Sequence, residues 1–114
     1  MPSSHRSSRI AEDRLDAVFH ALSHRARRAL MARLAEAPAT ITQLAEPFAI
    51  SLPAVSQHIR VLERAGLVTR QVDGRLHQCN LHALPLKPAQ EWLQHYRSFW
   101  QQSLESIANY VAKR

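Results

Sequence analysis

Several groups of side chains in this 114-residue chain are of types that do chemistry, and their spacing decides which chemistry is open to them. Ser56 and His58 are a hydroxyl and a base two positions apart. On a helix, where each residue turns about 100°, they point roughly 200° apart. Neither an orienting carboxylate nor a Gly-rich oxyanion turn lies nearby, so nucleophilic catalysis has no support, and no paired acids suggest hydrolysis. His77-x-Cys79-x-x-His82 offers three ligands of the kind zinc takes, and His77 and Cys79 share one face of a strand. Alternation in a half-buried strand accounts for the same residues. Glu91 and His95 stand at i, i+4, either as two ligands or as an ordinary helix-surface pair. His20 and His24 are also four apart, but a break at Ser23 separates them onto different helices.

The remaining group does recognition rather than bond-making. Ser51, Pro53, Ala54, Ser56, Gln57, His58 and Arg60 surround an inward stripe of Val55, Ile59 and Leu62. The small side chains allow a helix to approach a surface closely, and the hydroxyls and helix N-terminus can hold phosphate. Gln57 can pair bidentately with N6 and N7 of adenine.

The elements that position these residues follow from periodicity and punctuation. Residues 1–9 are Ser-rich, basic and aperiodic, and read as a flexible arm; residues 10–114 read as one domain. Leu15, Val18, Phe19 and Leu22 make the stripe of a first helix. Ser23 can cap a second, with Ala26, Ala29, Leu30 and Leu34 inside and Arg25, Arg27, Arg28 and Arg33 outside. Thr40 and Gln43 form a capping box for a short third helix. Ser51, with Pro53 in the first turn, opens a fourth helix over 51–65 that stops at Gly66. From residue 67 to 81 the period falls to two around Asp73-Gly74, a pair suited to a type I′ hairpin. Arg70 and Arg75 on that hairpin can reach a DNA backbone or minor groove. Pro88 then fits the first turn of one long terminal helix running to about residue 112. The expected fold is mainly α with a small β-hairpin: a winged helix-turn-helix of about five helices and a two-stranded wing.

Composition narrows the function further. The net charge is +6 and thirteen of the fifteen cations are arginine, which favours a polyanionic partner. Between Pro47 and Arg75, however, four arginines face Glu63 and Asp73, so recognition rests on shape more than on charge. Two glycines allow neither a dinucleotide fingerprint nor a P-loop. A single cysteine rules out an intrachain disulfide and fits a reducing cytoplasm, and no apolar run reads as a signal peptide or a membrane span.

The runs Ile41-Thr-Gln-Leu-Ala45, Ser51-Leu-Pro-Ala-Val-Ser-Gln-His-Ile-Arg-Val-Leu-Glu-Arg-Ala-Gly-Leu-Val68 and Asp73-Gly-Arg75 resemble the winged-helix core of the ArsR family of bacterial repressors. Leu22-Ser-His-Arg-Ala-Arg-Arg-Ala-Leu30 is similar to that family's second-helix signature, with Ser-His where many members have Asp-Pro. The resemblance spans roughly residues 12–111 and implies a non-enzymatic homodimer that represses transcription, its fourth helix reading DNA. The founding members' thiolate-rich helix corresponds to Thr42-Gln-Leu-Ala-Glu-Pro47, without Cys or His, and the Trp92, Tyr96, Phe99-Trp100 terminal helix resembles the subgroup lacking those cysteines, so no cofactor is expected.

Five of the seven aromatics, Trp92, Tyr96, Phe99, Trp100 and Tyr110, fall in the last quarter of the chain. With Leu104 and Ile107 they step at three to four residues, more apolar surface than one small domain can cover. A subunit interface accommodates them, joined by Leu15 and Phe19 of the first helix. The expected partners are thus double-stranded DNA and a second copy of the chain, with no membrane and an effector of unknown identity. A nonspecific architectural DNA-binding protein and a protein-interaction winged helix are the alternatives.

Overall fold

The computed structural model describes residues 2–113, and side chains from residue 6 onward. Met1, the first residue of the expected arm, and Arg114, the last of the expected domain, lie outside the described residues. Among the described residues six α-helices and three short strands follow one another: α1 Pro2–Leu22, α2 Arg25–Glu36, β1 Ala39–Thr40, α3 Ile41–Ala45, α4 Leu52–Arg64, β2 Val68–Asp73, β3 Leu76–Leu81, α5 Leu86–Gln94 and α6 Arg97–Ala112. A 3-10 turn, Glu46–Phe48, links α3 to α4. The sheet is antiparallel in the order β1-β3-β2.

The core sits where α2, α3, α4 and the sheet meet. Leu30, Leu44, Val55, Ile59, Leu62 and Leu67 are fully buried there, and Leu30, Val55, Ile59 and Leu62 come from apolar stripes that the sequence places inward. The end of α4 is fixed by hydrogen bonding. Gly66 N donates to Glu63 O (2.9 Å) and Leu67 N to Leu62 O (2.9 Å), the paired bonds of a Schellman motif, while Leu62 and Leu67 supply its buried apolar contact. Gly66 takes φ +78°, a left-handed conformation that glycine adopts without strain. The base of the hairpin is closed by His82 N donating to Leu67 O (2.7 Å).

The fold departs from the sequence-based expectation at several points, each with a local cause. The wing has a third strand: Ala39 pairs with Cys79 and Thr40 with Gln78, a bridge too short for a period-two signal. Asp73 pairs with Leu76, so the turn residues are Gly74 and Arg75 rather than Asp73 and Gly74. Of these two turn residues Gly74 alone has positive φ (63°), which fits a type II′ turn with glycine first, not type I′. Over residues 1–9, where an aperiodic arm is expected, the backbone is helical from Pro2. Proline is tolerated in a first turn, and no breaker follows it before the apolar stripe, so α1 propagates through the Ser- and Arg-rich stretch. Ser23 does not cap α2. Its hydroxyl donates to His20 O (2.6 Å) at the end of α1, leaving His24 as N-cap, its Nδ1 accepting from Ala26 N (3.0 Å).

The expected single terminal helix is also broken, at His95-Tyr96. His95 N and Tyr96 N donate to the carbonyls of Trp92 and Leu93 three residues back, tightening the last turn of α5. α5 is held to the body by buried Ala89 and by Trp92, edge-on to Phe19 of α1 at 5.7 Å between centroids. α6 has no buried residue and leaves the body. The radius of gyration is 18.9 Å, against about 13 Å for a compact domain of about 100 residues.

Replacing Gly66 with alanine is expected to lower the unfolding free energy by about 1–2 kcal/mol, the cost of a left-handed residue bearing Cβ, whose added atom would also meet Pro85 Cγ at 3.4 Å. Urea denaturation followed by circular dichroism measures it; an unchanged midpoint would contradict the role given to this cap.

Candidate nucleic-acid interface

Two capped helices and a hairpin place the recognition residues. Thr40 Oγ1 accepts from Gln43 N (3.2 Å) and Gln43 Oε1 accepts from Thr40 N (2.9 Å), the reciprocal bonds of the expected capping box. After the 3-10 turn, Ala49 adopts φ +52° and swings the chain into α4, where Ser51 Oγ accepts from Ala54 N (3.3 Å) and Pro53 occupies the first turn. With Val55, Ile59 and Leu62 buried, α4 must present the opposite face outward. Ser51, Pro53, Gln57 and Arg60 are exposed on it, and Ala54 and Ser56 are half-buried. Arg60 Nη1 donates to Gln57 Oε1 (3.4 Å), which orients the amide.

Beside the start of α4 the wing closes a groove of about 370 Å³, lined by Thr40, Thr42, Ser56, Arg70, Arg75 and His77 and by the apolar Ile41, Leu52 and Leu76. Thr40 and Thr42 are additions to the sequence-derived set. Their position beside Ser56 becomes visible only when β1 and α3 pack onto the wing; in the sequence Thr40 reads only as a cap. Arg75 stands exposed in the turn, its guanidinium available to a phosphate. Arg70 is differently placed: its Nη2 donates to Glu63 Oε1 at 2.6 Å, and its Nε is buried without a hydrogen-bond partner. It braces the wing against α4, so its charge is already countered.

His58 also departs from the outward set. It turns half-buried towards α2, 4.6 Å centroid to centroid from the His24 ring, with Nδ1 3.3 Å from Arg27 Nη1. A guanidinium only donates, so Nδ1 is the acceptor and the ring is neutral. Burial first, then the neighbouring His24 and Arg27, hold its pKa below the usual histidine value. Arg27, assigned by its spacing to the outer face of α2, is 7% exposed. It donates through Nε to Ala21 O (2.8 Å) and through Nη2 to His20 O (3.0 Å), carbonyls at the C-terminal end of α1 where a cation is favoured.

The metal-ligand candidates are not gathered. Among the described residues no three His, Cys, Asp or Glu side chains come together as a metal set. Cys79 is fully buried, and burial pushes its thiol pKa up despite Arg70, so it packs as a small hydrophobe. His77 and His82 are exposed, and His95 ends α5. Of the expected interface residues, Leu15 and Phe19 are half-buried. Trp92 and Tyr96 lie 5.2 Å apart with about half their surface open, and Phe99, Trp100, Leu104, Ile107 and Tyr110 are each more than 60% exposed.

A three-helix core with a capped helix pair and a β-hairpin wing defines a winged helix-turn-helix. A family model described as a helix-turn-helix domain matches residues 22–71. The crystal structure of an ArsR family transcriptional regulator superposes with a TM-score of 0.71 at 33% identity, covering 79% of this chain and 93% of that one. An ArsR-like transcriptional regulator from Rhodococcus sp. RHA1 gives 0.67 at 26% identity, with 84% and 91% covered. The HTH-type transcriptional regulator Rv2034 of Mycobacterium tuberculosis is 45% identical over 53 residues, 46% of this chain, and the match spans half the length of that curated relative. This chain belongs to the ArsR family of transcriptional regulators, which is not a family of enzymes.

Because the folded-state pKa of His58 lies below its unfolded value of about 6.5, the unfolded chain binds the extra proton first as pH falls. Stability from this group is therefore full above about pH 6.5 and is lost as pH drops through the folded value. His58→Asn, which keeps an acceptor but does not titrate, is expected to flatten the dependence of Tm on pH between about 7.5 and 5; a slope equal to that of the parent chain would contradict the assignment.

Proposed function

We propose that this chain is a homodimeric, sequence-specific DNA-binding repressor that reads an imperfect palindrome with α4 and the wing. The observation that carries the DNA-reading part is the outward face of α4: Ser51, Pro53, Gln57 and Arg60 exposed together, next to the Arg75 turn. Ala54 and Ser56 leave room for close approach in a major groove, Gln57 reads an adenine edge, and Ser51 with the exposed N-terminus of α4 takes phosphate. Thr42 and Arg75 extend the phosphate contacts on either side of the groove. His58 and Arg70, turned to α2 and Glu63, act by holding α4 and the wing in place rather than by touching DNA.

The dimer is supported by α6. A ridge of Phe99, Trp100, Leu104, Ile107, Tyr110 and Val111 left open to water is unfavourable for a monomer, and apolar patches of this extent mark association surfaces. A second copy, related by a twofold axis, would set two reading helices about 34 Å apart, one turn of DNA. Repression and a cytoplasmic location are what the family relationship implies. No helix among the described residues is long and apolar enough to cross a membrane.

Gln57→Ala is expected to relax base preference, with a cost of about 1–3 kcal/mol per half-site. Arg75→Ala is expected to weaken all sequences alike and to lower the salt slope by about one. Competition between the operator and random DNA at fixed salt reads both. Equal losses on the two DNAs for Gln57→Ala would refute the reading, and a parent preference far below about 10³-fold would indicate an architectural protein. No mobility shift on any DNA would indicate a protein-interaction module. Trp100→Arg is expected to give monomers in sedimentation equilibrium with little operator affinity; a monomeric variant that still footprints would refute the dimer.

A further inference from the structure

The end of α4 remote from Ser51 borders a second concavity, a groove of about 440 Å³. α1 forms one wall through Leu15 and Val18, and the stretch leading into α5 forms the other through Leu84, Pro85 and Pro88. The volume falls within the range of about 300–1,000 Å³ typical of small-molecule sites. Its lining is mainly apolar, and its ionisable members are Arg14, Arg64 and His82, with no Asp or Glu. Among the described residues neither guanidinium makes a hydrogen bond or an ion pair with a protein group. Arg27, Arg28, Arg33, Arg60 and Arg70, by contrast, all donate to protein acceptors.

An apolar trough edged by two unpaired guanidinium forks and no carboxylate has a definite complement. We propose that this groove binds a small amphipathic carboxylate, its apolar body lying on Leu15, Val18 and Leu84 and its carboxylate taken by Arg14 and Arg64. The planar forks match a carboxylate bidentately, and charge-assisted bonds of this kind are about twice as strong as neutral ones. A cation would meet like charge, and a neutral lipid would leave both forks unused. The site is separate from the DNA-reading face, and its test needs no DNA. Because Arg64, Ala65 and Gly66 end α4, the bound molecule would touch the same helix that carries Gln57.

Calorimetric titration of the full chain with decanoate, below its micelle-forming concentration, and separately with decan-1-ol provides the test. Decanoate should saturate at one molecule per chain and bind about tenfold or more tighter than the alcohol, a difference of about 1.4 kcal/mol. The Arg14→Gln, Arg64→Gln double variant should lose that advantage while keeping its affinity for the alcohol. Leu84→Asp, at an exposed position that leaves the core intact, should abolish decanoate binding without changing Tm. Equal decanoate affinity in the double variant would show that the two arginines do not hold the carboxylate and would overturn the proposal. Absence of saturable binding would overturn it equally.

Discussion

Arg27 holds three helices through a cation that has no carboxylate partner. A buried guanidinium is costly unless its donors are met, and here carbonyl oxygens at the end of α1, the Ser23 hydroxyl and the His58 ring meet them. The α1 carbonyls carry the negative end of that helix, so the charge is countered by dipoles rather than by an ion. α1, which bears one wall of the apolar groove, and α4, which bears the exposed Gln57 and Arg60, are therefore tied to α2 at one point. Loss of the side chain would leave the buried carbonyl of Ala21 without its donor.

What could be read from the sequence was whatever repeats or punctuates. The α4 stripe, its Ser51 and Gly66 boundaries, and the capping box at Thr40 are local signals, and each stands in the fold where its chemistry requires. The features that escaped depend on contacts remote in the chain. Arg27 looks like its neighbours Arg25 and Arg28 until α1 is brought alongside it. β1 is two residues long and exists only because β3 lies beside it. The hairpin register moved by one position because glycine supplies the left-handed residue equally well at either central turn position, and the pairing of Asp73 with Leu76 decides between them.

The candidate site divides in the same way. Gln57, Arg60, Ser51 and Pro53 were legible because a helix with one buried stripe has only one face left to offer. His58 and Arg70 have the right residue types for DNA contact, but packing assigns them to other partners. The surplus positive charge is correspondingly less available than the net charge implies, since Arg27 and Arg70 are already engaged. Along α5 and α6 the aromatic spacing was clear, but the break at His95-Tyr96 was not, because neither glycine nor proline marks it in the sequence.

Thr40 belongs to two elements at once. Its backbone is paired with Gln78 in the sheet, and its side chain caps α3. Pulling the hairpin outward would therefore disturb the cap of the helix that precedes α4, and unwinding that helix would loosen the edge of the sheet. Wing and helix pair are thus linked through this one threonine, so a distortion of either is felt by the other.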